Sequence, residues 1–249
     1  MKLIINADDF GYSRGINWGI IDSYNNGTLS SATIMANMPG FSHAVELAKQ
    51  NPGLGVGVHL TLTQGRALTG VCKTITDGDG NFLKLGALSE NISTIDLGEV
   101  EREYDAQISK VINSGIVPTH LDGHHHTHVR PGIINVLFKM AEKYRLPIRF
   151  PSDCKVPAGF ENVRFPDVFS GDFYGEDAKE DFFIGILEKH KEMDGVLEIM
   201  CHPGYADCEV LAGSSYNVQR ANEVEILTGD RVREFINENN IKIINYRDL

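Results

Sequence analysis

Met1-Lys-Leu-Ile-Ile-Asn-Ala-Asp-Asp-Phe-Gly11 opens the chain, and its second half decides between two architectures. The apolar run predicts a buried first strand over Leu3–Ala7. Ala32–Met35, Val56–Leu62, Thr119–Leu121, Ile148–Phe150, Val196–Cys201 and Ile241–Tyr246 read the same way. Segments of helical period lie between them. Gly15–Asn26 carries Ile16, Ile20, Ile21 and Tyr24 on one face. Leu97–Ser114 carries Val100, Tyr104, Ile108, Val111 and Ile112, with Gly115 as its stop. Pro131 opens a helix with Ile134, Leu137, Phe138 and Ala141 inward; Asp177–Met193 and Val218–Asn239 are two more. Strand and helix in alternation call for parallel strands with crossover helices, either a closed barrel or an open doubly-wound sheet. A doubly-wound dinucleotide fold places a Gly-rich phosphate loop after its first strand. Here Asn6-Ala-Asp-Asp-Phe-Gly11 takes that place, and its carboxylates would repel a pyrophosphate. The expected fold is therefore α/β, a (β/α) barrel or a distorted relative of one, in a single domain over 1–249. Residues 64–95, rich in Gly and Thr and containing the turn Asp77-Gly-Asp79-Gly80, read as an irregular excursion from it.

The 249 residues are enough for one large α/β domain, and 42% hydrophobic with 23% charged residues is the balance of a soluble globular enzyme. Twenty-three basic against 34 acidic side chains leave a net charge of −11. That excludes the broad basic surface a nucleic acid or an anionic membrane needs. Cys72, Cys154, Cys201 and Cys208 form no C-x-x-C pair; free thiols in a reducing compartment are expected, with Cys201–Cys208 the one pairing left open. The N-terminal apolar stretch is too short for a signal peptide and no stretch approaches a membrane span, so a cytoplasmic protein is expected.

In a parallel α/β protein the reacting groups gather at the C-terminal ends of the strands. Four clusters fall there: Asp8-Asp9; His59 within Gly57-Val-His-Leu60; the run His120-Leu-Asp-Gly-His-His-His-Thr-His128; and His202 before Pro203-Gly204. The run holds five of the nine histidines, a density that packing does not account for. If the strand continues through Asp8 and Asp9, their side chains point to opposite faces and have different tasks, one binding a metal and the other taking a proton. One Asp and two His with open positions make a catalytic site for zinc, iron and related ions. Gly123 suggests a turn between His120 and His124, so the two need not share an ion. His202, at a strand end ahead of a forced turn, is placed to act as a general acid.

Asn6-Ala-Asp-Asp-Phe-Gly11, Gly57-Val-His-Leu60, Thr119-His-Leu-Asp-Gly-His-His-His126 and Glu198-Ile-Met-Cys-His-Pro203 together resemble the YdjC-type carbohydrate deacetylases, which include the chitooligosaccharide deacetylases, and the resemblance runs to the Tyr246-Arg-Asp ending. It implies a distorted TIM-like barrel, a homodimer, and metal-dependent removal of N-acetyl groups from chitooligosaccharides, chitobiose or its 6-phosphate, with release of acetate. It further implies that Asp9, His59 and His124 hold one divalent ion, Mg2+ or Zn2+ with Mn2+ and Co2+ as alternatives, while Asp8 is the general base and His202 the general acid. Gly123 stands where some relatives carry Ser, which removes no implied ligand.

Two other readings compete. A phosphoesterase or another amidohydrolase would use similar ligands, and His120, His125, His126 and His128 would then support a second ion. A carbohydrate-binding regulator would keep the site without the chemistry. A phosphorylated sugar calls for a cation near the motifs, for which Arg66, Arg130 and Arg149 are candidates. Phe10, Tyr12, Phe173, Tyr174 and Tyr205 are the aromatics available to stack on a sugar ring.

Overall fold

The computed structural model describes residues 1–249. Its elements run β1 (Lys2–Phe10), α1 (Arg14–Asn25), β2 (Ser31–Ile34), α2 (Phe41–Gln50), β3 (Gly55–Leu60), α3 (Leu85–Glu90), α4 (Leu97–Asn113), β4 (Leu121–Gly123), α5 (Ile133–Tyr144), β5 (Val168–Ser170), α6 (Glu180–His190), β6 (Val196–Cys201), α7 (Cys208–Gly213), α8 (Val218–Thr228), α9 (Asp230–Glu238) and β7 (Lys242–Ile243). One sheet carries them in the order β4-β3-β2-β1-β6-β5, with β7 added to β1, and every pairing is parallel. The sheet curls. Arg149, beside β4 in the segment after α5, touches Asp8 on β1, Asp122 on β4 and Glu198 on β6 at once. The result is the expected distorted TIM-like barrel, left incompletely closed.

Alternation along β1 shows where the core sits. Leu3, Ile5 and Ala7 face the helices and join a cluster of 54 buried residues between sheet and helical layer. Ile4 faces inward and joins a separate small cluster with Val196, Ile244 and Tyr246, against which Leu249 packs. Above that small apolar plug the barrel interior is polar: Asn6, Asp8, His59, His120, Asp122, Arg149 and Glu198 are all buried there. The interior of a TIM barrel is ordinarily filled with branched apolar side chains. Gly57 on β3 is required by this crowding, because a Cβ there would lie 2.4 Å from His120 Nδ1.

Several boundaries differ from expectation. The third-motif strand is displaced to Leu121–Gly123, and Ile148 makes only an isolated parallel bridge to Leu121. Val168–Ser170, short and half-buried, supplies the edge strand instead. The predicted helix over Val218–Asn239 is two helices, because Gly229 between them is extended. Ile112 is exposed rather than buried, and Tyr24 and Ile134 are only partly covered. Helices α2, α3 and α7 were not anticipated.

The excursion over 64–95 is pinned from α4. Glu103 accepts from the backbone N–H groups of Leu68 and Thr69 at 3.0 and 2.9 Å. Glu99 accepts from those of Lys73 and Thr74 at 2.8 and 2.9 Å. All four cysteines are free thiols. No helix is long and apolar enough to cross a membrane.

Candidate metal centre

Asp8 and Asp9 do not point to opposite faces. The register between β1 and β2 slips between Ala7 and Phe10, and Asp9 adopts a left-handed backbone conformation, φ 68°. This bulge re-aims the second side chain, so both carboxylates enter the same cleft at the C-terminal ends of the strands.

Asp9 splits its two oxygens. Oδ2 accepts from Arg220 Nη2 on α8 at 2.6 Å. Oδ1 is buried without a hydrogen-bond partner, 3.5 Å from His59 Nε2 and 3.1 Å from His124 Nδ1. Burial pushes the Asp9 carboxyl up, but Arg220 and His124 hold it well below the usual carboxylate range. His59 presents Nδ1 to Asp122 Oδ1 at 2.7 Å, and Thr33 Oγ1 donates to the other Asp122 oxygen at 2.9 Å. A carboxylate only accepts, so Nδ1 keeps its proton, and Nε2, once deprotonated, turns its lone pair toward Asp9. Nε2 has no other partner.

The ligating atoms of Asp9, His59 and His124 lie within 4.8 Å of one another. A carboxylate oxygen and a ring nitrogen, both buried and unpartnered and both facing a second imidazole, leave their polar capacity unused unless a ligand lies between them, and the Asp122–His59 pair is the carboxylate–histidine support that orients metal-bound imidazoles. The donor set of one carboxylate and two imidazoles fits a divalent cation.

Asp8 stands beside this trio. Arg149 grips it with both arms and Asn6 Nδ2 donates to Oδ1 at 3.2 Å. Burial raises the Asp8 carboxyl, but Arg149 outweighs it and keeps the group below its ordinary value. His202, at the end of β6, places Nε2 3.9 Å from Asp8 Oδ2. Burial pushes its imidazole down to about 4 against the pull of Asp8 and Asp9. Its Nδ1 is buried without a partner.

The remaining histidines separate. His120 is fully buried, stacked on Tyr246 with centroids 3.6 Å apart, and does not face Asp9. His128 is fully buried, and a Cβ on Gly123 would lie 2.6 Å from its Nδ1. His125 and His126, both left-handed at φ 55° and 52°, line the cleft. Strain of this kind gathers at functional sites. Another candidate cation group, Asp8-His59-Asp122, is closed by Arg149, which contacts both carboxylates.

The cation candidates need correction. Arg149 is fully buried among Asp8, Asp122 and Glu198, and neither Arg66 nor Arg130 lines the cleft. The cleft, about 690 Å3, carries Lys84 and Arg220 instead. Sequence reasoning gave no role to Asp122, Arg220, Glu223 or Tyr216. Arg149 and Glu198 did leave a signal, since each interrupts an apolar strand. Arg220 and Glu223 lie on an ordinary-looking helix and left none.

Known proteins align with this geometry. A family model described as "YdjC-like protein" matches residues 2–238. A protein of Clostridium beijerinckii named carbohydrate deacetylase is 43% identical over 250 residues, spanning 100% of both chains. Among solved structures, an Enterococcus faecalis protein assigned as a candidate for cellobiose-phosphate cleavage superposes with a TM-score of 0.90 at 34% identity, over 99% of this chain and 98% of its own. A peptidoglycan N-acetylglucosamine deacetylase, 12% identical, shares the fold with a TM-score of 0.56 over 98% of this chain and 85% of its own.

Proposed function

This chain belongs to the YdjC-like family, and from that premise we propose that it is a metal-dependent carbohydrate N-deacetylase, which hydrolyses the N-acetyl group of chitooligosaccharides, chitobiose or its 6-phosphate, and releases acetate. The observation that carries this reading is the buried, unpartnered pair Asp9 Oδ1 and His59 Nε2 facing His124, in a cleft that also holds Asp8 and His202. Asp9, His59 and His124 are the residues that would hold one divalent ion, Mg2+ or Zn2+, with Mn2+ and Co2+ as alternatives. Bound there, the ion would polarise the acetamide carbonyl and make the attacking water more acidic.

The chain's own groups supply the proton transfers. Asp8 is oriented by Arg149 and takes the proton as water attacks the carbonyl carbon. Burial disfavours a charged His202, so it protonates the leaving nitrogen after receiving a proton, and Asp8 lies 3.9 Å away to hand one on. The C–N bond then breaks to acetate and an amine. The proton balance closes without an outside acid.

A multi-ion phosphoesterase would need a second open ligand set, and the Asp8-His59-Asp122 group is already filled by a guanidinium. For the 6-phosphate, Lys84 is the cleft cation without an ion-pair partner, whereas Arg220 is engaged by Asp9. The reading takes residues 1–249 as one deacetylase domain, acting in the cytoplasm and as a homodimer, the latter as the family resemblance implies.

The test is acetate release from N,N′-diacetylchitobiose and from its 6-phosphate, comparing chelator-treated with metal-reloaded protein and including Asp8→Asn. Metal-dependent acetate that disappears in Asp8→Asn supports the reaction. No acetate from either sugar removes chitobiose as the substrate.

A further inference from the structure

One aromatic ring in the cleft has an open face. Of the cleft's aromatics, Tyr12 and Tyr216 are 4% and 6% exposed, whereas Tyr174 is 46% exposed. Elsewhere, Phe10 and Phe173 are core, and Tyr205 lies outside the cleft with its hydroxyl donating to Asp22 at 2.7 Å. Tyr174 lies flat on Tyr216, centroids 4.3 Å apart and planes at 14°. Tyr216 covers one face of Tyr174, so its exposure lies on the opposite face and the ring edge.

This stack is built together with His202. The imidazole meets both rings edge-on, 5.2 Å from Tyr174 and 5.6 Å from Tyr216, at 67° to each. One buried carboxylate ties the group together. Glu223 Oε1 accepts from the Tyr216 hydroxyl, and Oε2 accepts from the backbone N–H of His202. The backbone N–H of Gly175, next to Tyr174, donates to the Tyr216 oxygen at 3.3 Å. The platform and the residue beside it are therefore fixed to the same anchor.

We propose that Tyr174 is the platform for the pyranose ring that bears the acetamide, stacking on that ring's apolar C–H face so that its nitrogen lies at His202. A gluco-configured β-sugar, with its ring substituents equatorial, presents such a face; a linear or planar amide does not. An aromatic with one face supported and the other open recognises that surface at low entropic cost. The proposal rests on the deacetylase reading above and specifies how its substrate is held.

The experiment measures calorimetric binding of N,N′-diacetylchitobiose to the Asp8→Asn protein with Tyr174 kept, replaced by Phe or replaced by Ala. It also measures kcat and KM for acetate release with Asp8 intact. Tyr174→Phe should bind within about threefold of the parent, and Tyr174→Ala should lose about 10- to 30-fold in both Kd and KM with kcat within about threefold. A melting temperature equal to the parent's accompanies this, because Tyr174 is half-exposed. Acetate release with KM unmoved in Tyr174→Ala overturns the platform and leaves the deacetylase reading standing. Sugar binding lost in Tyr174→Ala, with no acetate from the unaltered chain, keeps the platform and overturns the deacetylase reading. No sugar binding by the parent overturns both.

Discussion

Arg149 reaches Asp8 through both arms of its guanidinium, Nη1 to Oδ2 at 2.8 Å and Nη2 to Oδ1 at 2.7 Å. Its Nε donates to Glu198 Oε1 at 2.8 Å, and Nη1 lies 3.0 Å from Asp122 Oδ2. Three buried acidic groups thus depend on one side chain, and the fork fixes the orientation of the proposed base. Lysine keeps the charge and loses the fork. Arg149→Lys is expected to lower kcat for acetate release by about 10- to 100-fold, and Arg149→Ala to cost about 3–5 kcal/mol of stability by leaving carboxylates uncompensated. Steady-state kinetics and urea denaturation check the two, and an Arg149→Lys enzyme of normal kcat would show that Asp8 needs no fork.

His202→Ala should reduce kcat by about 10²–10⁴-fold with little change in KM, because an amine leaving group needs its proton in the transition state rather than at binding. An ester of the same sugar, whose leaving alkoxide is less basic than an amide anion, should be hurt less. Equal losses on ester and amide would remove His202 as the acid.

Metal uptake should depend on pH through His59. Burial pushes this imidazole down, but Asp122 and Asp8 overcome it and raise it to about 10 from an ordinary 6.5. In the metal-free chain the charged ring adds stability that is complete below about 6.5 and is lost as the pH rises through about 10. A cation competes with that proton, so it binds more weakly at low pH. The gain in melting temperature on adding Zn2+ to chelator-treated protein should be larger at pH 8.5 than at pH 6. An equal gain at both would mean that His59 is not a ligand.

Glu103 is fully buried, and besides Leu68 and Thr69 it accepts from Gln107 Nε2 at 2.9 Å. Glu103→Ala should cost about 1–3 kcal/mol by orphaning the donors. It should also loosen the excursion that brings Gln64 and Lys84 to the cleft, raising KM while leaving kcat nearly unchanged. Hydrogen exchange at Leu68 and Thr69 would follow the loosening directly; unchanged protection there contradicts it.

The sheet was legible from apolar runs such as Val196–Cys201, whose bounds match the observed strand, because a strand buried on both faces leaves a continuous hydrophobic signature. Val168–Ser170 escaped because a short, half-covered edge strand needs no such run. At the site, residue type and position at strand ends singled out the clusters that hold Asp9, His59 and His124, and the family resemblance implied the choice among them. Their supports were not: Arg220 reaches Asp9 from α8, more than 200 residues along the chain, and Glu223 on the same helix holds the backbone N–H of His202, pairings that only the folded geometry makes. The common orientation of Asp8 and Asp9 was misjudged because strict alternation holds only for a regular strand.

That irregularity says why the proposed ligand at this point is an aspartate. Of the two carboxylate side chains able to bind a cation, Asp tolerates left-handed backbone torsions, whereas Glu would add strain there. One residue type therefore satisfies two unrelated demands, the kink and the coordination. Anyone moving this chemistry onto another scaffold would have to import the backbone torsion first. On a straight strand the same two acids would be divided between barrel lumen and helical layer, and the base would lose its neighbour.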